Sequence, residues 1–351
     1  MSLGKIRVLV VDDSAIFRRF LSSTLAADPA IEVVGAAADP YEARDMILQL
    51  KPNVLTLDIE MPKMDGITFL KILATQHPVP AVVFSSLSAQ GSQYALQALE
   101  AGAVDVLAKP SGGTFGADLA RELISKVKAA AGSSRISRSA PPSPLGVYTS
   151  AINKAQPGQI VLIGSSTGGT EALKDIIPVL PPNLPPICIV QHIPAGYSAA
   201  LAKRLNELSQ LEVREAVDGE PLTQGTVLIA PGDMHMVLVK RGDGYGVRLK
   251  QGPKVNQCRP SVDVLFESAA PLVGNKAVAG ILTGMGDDGA RGLLALRNAG
   301  SKTFAQDEKT CVVYGMPRKA FEAGGAQKQV ALGEIATHIV KCVAGMAAQA
   351  R

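Results

Sequence analysis

Between Lys5 and about Leu123 the sequence passes five times from a short apolar run to a helix-like pattern. It begins with Ile6-Arg7-Val8-Leu9-Val10-Val11 and a helical stretch from Ser14 to Ala26. Short apolar strands alternating with helices predict a parallel, doubly wound sheet. Sheets of this kind bind ligands beyond the carboxyl ends of their strands, so the residues that close each strand are the informative ones. They are Asp12-Asp13, Asp39, Asp58, Ser85-Ser86 and Lys109-Pro110. Carboxylates crowded at one edge repel each other unless a hard cation lies between them, and Mg²⁺ takes oxygen ligands. A lysine and a hydroxyl at the same edge complete a phosphoryl site. Asp58 is the candidate phosphoacceptor, Asp12, Asp13 and Asp58 the candidate Mg²⁺ ligands, and Ser85 and Lys109 the candidate phosphoryl contacts.

A chain of 351 residues is long enough for two domains, each with its own core. Apolar residues make up 47% of it and tryptophan is absent, so the cores rest on Val, Ile, Leu and Ala, which suits parallel sheets under helices. From Ala129 to about Gln156, Ser/Arg and Pro/Ser clusters replace regular apolar spacing, as in a tether. Beyond it, strand-like runs recur at Ile160-Ile163, Ile187-Val190, Val227-Ala230, Ala277-Leu282 and Thr303-Ala305. A hairpin is expected at Met236-Val239 and Val247-Leu249 around Gly242 and Gly244. The boundaries expected are therefore 1–128, a linker over 129–156, and 157–351.

The net charge of +4 is small and dispersed, which argues against a nucleic-acid function. No run approaches a membrane span and the N-terminus enters a strand directly, so a cytoplasmic protein without membrane insertion is expected. Cys188, Cys258, Cys311 and Cys342 lack paired spacing, which argues against a zinc site or a disulfide framework.

The second half is organised around Gly164-Ser165-Ser166-Thr167-Gly168-Gly169, which links an apolar strand to a helix. As a phosphate loop it lacks the lysine, since Thr170 stands there. As a nucleophile elbow it fits G-x-S-x-G and exposes Ser166 beside backbone N–H donors. An ordinary glycine turn fits the same residues, so a base and an acid must be found elsewhere. His192 closes the strand Ile187-Gln191, and Asp288 follows another strand within Gly284-Met285-Gly286-Asp287-Asp288-Gly289. Ser166, His192 and Asp288 thus meet at one sheet edge, with His235 as a rival base. Gly284-x-Gly286-x-x-Gly289 also matches a dinucleotide fingerprint, but an aspartate facing a pyrophosphate is repulsive.

Residues 5 to about 127 resemble the receiver domain of bacterial response regulators, through Val10-Val11-Asp12-Asp13-Ser14, Leu57-Asp58-Ile59-Glu60-Met61-Pro62, Asp65-Gly66, Ser85 and Lys109-Pro110. That resemblance implies a flavodoxin-like fold, Mg²⁺ as cofactor, phosphorylation of Asp58 by a histidine kinase, and a cis bond before Pro110. Val106 stands where receivers commonly carry an aromatic switch residue. Residues 159 to about 345 resemble the chemotaxis protein-glutamate methylesterases. The carriers are Ile163-Ala172, Val190-Gln191-His192-Ile193-Pro194, Ala230-Pro231-Gly232, Arg259-Pro260-Ser261-Val262-Asp263 and Leu282-Gly289. This implies a three-layer α/β/α catalytic domain without a cofactor and a Ser166–His192–Asp288 triad. Backbone N–H groups near Thr167 and Met285 would meet the oxyanion. The implied activity is hydrolysis of glutamate methyl esters on methyl-accepting chemoreceptors, with glutamine deamidation. A non-catalytic binding output is the alternative. Cys258 stands where that family often has a histidine.

Overall fold

The computed structural model describes residues 4–110, 115–133 and 157–349. The predicted linker beyond Ser133 and residues 111–114 lie outside the described residues. The chain divides into two compact units, 1–133 and 134–351.

The first unit alternates β1 (Ile6–Val11), α1 (Ala15–Ala26), β2 (Ile31–Ala37), α2 (Pro40–Leu50), β3 (Val54–Asp58), α3 (Gly66–Gln76), β4 (Ala81–Ser86), α4 (Ala89–Glu100), β5 (Asp105–Lys109) and α5 (Ala117–Ala131). All pairings are parallel in the order β2-β1-β3-β4-β5. The order reverses beside β1, so the crevice of such a sheet opens between the ends of β1 and β3, where Asp12 and Asp58 stand. Val8, Val10, Val54, Val82, Phe84 and Leu107 project from one face onto Phe17, Leu21, Leu123 and Val127 of α1 and α5. Several helices start on a side-chain cap: Ser14 accepts from Phe17 N–H, and Asp65 from Thr68 N–H. Asp39, which closes β2, caps α2 through the N–H groups of Tyr41 and Glu42 and pairs with Lys63. The one cis peptide among the described residues is Arg259–Pro260, so the cis bond implied before Pro110 is not present.

The second unit runs β6 (Ile160–Ser165), α6 (Gly169–Ile176), β7 (Ile187–Gln191), α7 (Tyr197–Leu208), β8 (Glu212–Glu215), β9 (Thr226–Ile229), β10 (His235–Arg241), β11 (Gly244–Lys250), α8 (Val262–Val273), β12 (Ala277–Ile281), α9 (Ala290–Asn298), β13 (Lys302–Gln306), α10 (Met316–Glu322), β14 (Lys328–Val330) and α11 (Leu332–Gln349). Seven parallel strands lie in the order β14-β13-β12-β6-β7-β9-β8, and β10 and β11 form a separate antiparallel hairpin. The chain begins in the middle of this sheet and winds outward both ways, which places the switch point at β6. The five innermost strands are almost wholly buried, as expected of a sheet covered on both faces.

Candidate functional site

The turn after β6 is held from three sides. Ser166 N–H donates to Thr283 O (3.0 Å), Thr283 Oγ1 donates to Thr167 O (2.9 Å), and the Gln191 amide donates to Ser166 O (2.8 Å). Gln191 also accepts from Ser165 Oγ at 2.6 Å, so its side chain fastens the ends of β6 and β7 together. Two glycines are required here. Gly168 has φ +78°, and a Cβ on it would lie 2.5 Å from Val312. A Cβ on Gly284 would lie 2.6 Å from Ser166 Cβ and 2.5 Å from Met316 Sδ, so the backbone leading into Met285 runs directly against Ser166.

Register brings the histidine alongside. Ser165 pairs with Gln191, and His192 N–H donates to Ser165 O at 2.9 Å, so His192 and Ser166 leave neighbouring strands side by side. The His192 Nε2 atom is 2.8 Å from Asp288 Oδ2. A carboxylate only accepts, so Nε2 carries the proton and Nδ1 of the neutral ring keeps its lone pair. The Cys258 sulfur lies 3.5 Å from that Nδ1. Among the described residues the Ser166 hydroxyl makes no hydrogen bond.

Asp288 is 2% exposed and is met by four further donors: Val262 N–H (2.6 Å), Ser261 Oγ (2.7 Å), Asn256 Nδ2 (2.9 Å) and Asp263 N–H (3.3 Å). Burial works against its charge, yet His192 and the Ser261 and Asn256 donors outweigh burial and hold the carboxyl below its usual range. Burial likewise opposes a charged imidazole. The neighbouring Cys258 sulfur and the Asp288 hydrogen bond overcome it and raise the basicity of His192.

His235, the rival base, is 5% exposed and far from free. Its Nδ1 accepts from Ser261 N–H (3.2 Å) and its Nε2 lies 3.0 Å from Pro253 O, so it supports the segment that carries the Asp288 donors. The glycine fingerprint around Gly286 is no dinucleotide cradle, because its Asp288 is committed to His192. Sequence reasoning missed Gln191, Asn256 and Ser261. Of these only Ser261 leaves a local trace, as the N-cap of α8.

In the first unit, Asp12 and Asp58 are buried and Asp13 is exposed, and one carboxylate oxygen from each lies within 4.8 Å of the others. Lys109 Nζ is 2.7 Å from Asp58 Oδ2 and 2.9 Å from Asp12 Oδ2, and stands over the Phe17 ring. Burial and the Asp12 charge push Asp58 up to about 6 despite Lys109. Ser85 is buried and donates to Gly91 O at 2.7 Å beside the start of α4, while Ser86 pairs in register with Lys109 and its hydroxyl lies 3.0 Å from the Ser88 hydroxyl that caps α4.

A family model described as CheB methylesterase matches residues 161–339, and one described as response regulator receiver domain matches residues 8–114. A protein-glutamate methylesterase/protein-glutamine glutaminase of Syntrophus aciditrophicus is 48% identical, over 97% of this chain and 100% of its own. One of Caulobacter vibrioides is 49% identical over 96% and 98%. The crystal structure of the Thermotoga maritima CheB methylesterase catalytic domain superposes with a TM-score of 0.51 at 43% identity, covering 52% of this chain and 98% of that one. The chain therefore belongs to the CheB methylesterase family, with a response-regulator receiver domain preceding the methylesterase domain.

Proposed function

We propose that this chain hydrolyses glutamate methyl esters on the cytoplasmic helices of methyl-accepting chemoreceptors, releasing methanol, and deamidates selected glutamines by the same route. The observation that carries this reading is the Asp288–His192 hydrogen bond at the end of β7, set beside the Ser166 turn at the end of β6. Asp288 holds the ring so that Nδ1 accepts the Ser166 proton while Oγ attacks the ester carbonyl. The oxyanion is met by backbone N–H groups near Thr167 and Met285. Collapse expels methanol, which takes its proton from His192, and a water then cleaves the acyl-serine with His192 again as base. A serine-reactive phosphonate should label Ser166 once per chain and abolish demethylation, and Ser166→Ala should escape labelling. Retained demethylation in Ser166→Ala would sink the assignment, and failure to label the intact chain would favour a binding output without chemistry.

In the receiver domain, Asp58 is the phosphoacceptor and a chemotaxis histidine kinase the donor. The residues fit Mg²⁺: Asp12, Asp13 and Asp58 bring an oxygen-only set within 4.8 Å, and Lys109, against Asp12 Oδ2 and Asp58 Oδ2, leaves an excess of negative charge that a hard cation would neutralise. The ion would neutralise charge around the transferring phosphoryl group. Lys109, 2.7 Å from Asp58 Oδ2, and Ser85, at the end of the neighbouring strand, would contact the phosphoryl oxygens. Among the described residues no helix is long and apolar enough to cross a membrane, in keeping with a cytoplasmic location.

A further inference from the structure

Cys258 stands beside the catalytic imidazole with no part in the ester chemistry. It closes a tight turn in which Val255 N–H donates to Cys258 O (3.0 Å) and Cys258 N–H to Val255 O (2.8 Å). The Asn256 amide fastens that turn to Asp263 and Asp288 at 2.8 and 2.9 Å. The thiol is thereby held, partly exposed, 3.5 Å from His192 Nδ1.

Three features of this pair belong to a metal site. A tetrahedral zinc with Zn–S of about 2.3 Å and Zn–N of about 2.05 Å separates its sulfur and nitrogen ligands by about 3.5 Å. The distance found needs no rearrangement to match. The ring nitrogen facing the sulfur is the one with the lone pair, because Asp288 fixes the proton on Nε2. A carboxylate bonded to the distal nitrogen of a ligating histidine is the usual outer support of such sites. Asp288 already accepts from Ser261, Asn256 and Val262, so it acts as that support and not as a third ligand. The exposed side leaves the remaining positions to water or to the Ser166 hydroxyl.

We propose that Cys258 Sγ and His192 Nδ1 form a binding site for a thiophilic divalent metal, Zn²⁺ above all, whose occupancy switches the esterase off. The thiol loses its proton to solvent as the S–Zn bond forms, and the metal takes the lone pair that Ser166 would use. A thiolate and an imidazole select Zn²⁺ over the hard Mg²⁺ of the receiver, so the two ions do not compete for one site. Inhibition rests on the reading of His192 as base, but binding does not.

The test uses the full chain, freed of metal and kept in excess Mg²⁺. Titration with Co²⁺ as a spectroscopic stand-in should produce a thiolate-to-cobalt charge-transfer band that saturates at one ion per chain. Oxygen ligation at Asp12, Asp13 and Asp58 cannot give such a band. Zn²⁺ should lower esterase activity at least tenfold, and a zinc-selective chelator should restore it. Cys258→Ala should lose the band and, relative to its own zinc-free rate, the inhibition. Cys342→Ala should keep both. It is the necessary control, because Cys342 Sγ lies 3.6 Å from His338 Nε2 on α11. No band in the intact chain, or a band and inhibition that survive in Cys258→Ala, would overturn the proposal. A Cys258-dependent band without inhibition would leave the metal site standing and overturn both the inhibitory switch and the assignment of His192 as base.

Discussion

At the scale of single residues, the position of Asp288 depends on its donors, and Asn256 is the one that also touches a second acid. Its amide donates to Asp263 and Asp288, two carboxylates that are each about 2% exposed and repel one another. Its φ of +49° is a conformation that asparagine tolerates better than most residues. Asn256→Gly keeps the backbone but removes the bridge, so kcat should fall about tenfold, equivalent to about 1.4 kcal/mol, with KM little changed. Asn256→Asp also keeps the backbone but sets a third carboxylate against the other two, and its loss should be larger. Steady-state kinetics on a methylated receptor, with circular dichroism as the folding control, reads both. Equal losses in the two variants would mean that the amide does no more than fill space. In the proposed triad, His192→Ala should come close to abolishing activity, whereas Asp288→Asn leaves the proposed nucleophile and base present and should cost less.

At the scale of elements, one close approach holds the Ser166 turn and can be perturbed by a single methyl group. Gly284→Ala adds a Cβ that would lie 2.6 Å from Ser166 Cβ, so the end of β12 or the Ser166 turn must shift. The expected cost is about 1–3 kcal/mol in a urea titration, with a larger proportional loss of esterase activity because the reacting serine is displaced. On β4, Ser85→Ala should slow labelling of Asp58 by a small phosphodonor and destabilise the receiver by about 1 kcal/mol through the lost bond to Gly91 O. Unchanged labelling in that variant would remove Ser85 from the phosphoryl site. Strand position explains which elements escaped the sequence. β8 is Glu-Val-Arg-Glu and β14 is Lys-Gln-Val, edge strands whose polar side chains suit a solvated rim but carry no apolar run to detect.

At the scale of the whole molecule, a phosphoacceptor unit and an esterase unit share one chain. A small phosphodonor with Mg²⁺ should therefore raise the esterase rate of the full chain, and Asp58→Asn should show neither labelling nor the response. Residues 153–351 should be faster alone than the unphosphorylated whole if the receiver restrains the esterase, and no faster if it acts only by promoting it. Much of this architecture was legible in the residues. Apolar runs alternating with helical patterns dictate two parallel sheets, and the closing residues of β1, β3, β5, β6 and β7 bring Asp12, Asp58, Lys109, Ser166 and His192 to the carboxyl edges of those sheets. Each of those signals is local: a period, a strand end, a glycine where the backbone must turn. What the tertiary structure alone decided is non-local or a matter of one residue in register. The Gln191 side chain that fastens β6 to β7 depends on strand pairing. The Asn256 bridge joins acids 7 and 32 positions away. The approach of Cys258 to His192 spans 66 residues and defeats any rule based on cysteine spacing, because loop course and sheet register, which no local pattern encodes, bring the thiol to the imidazole.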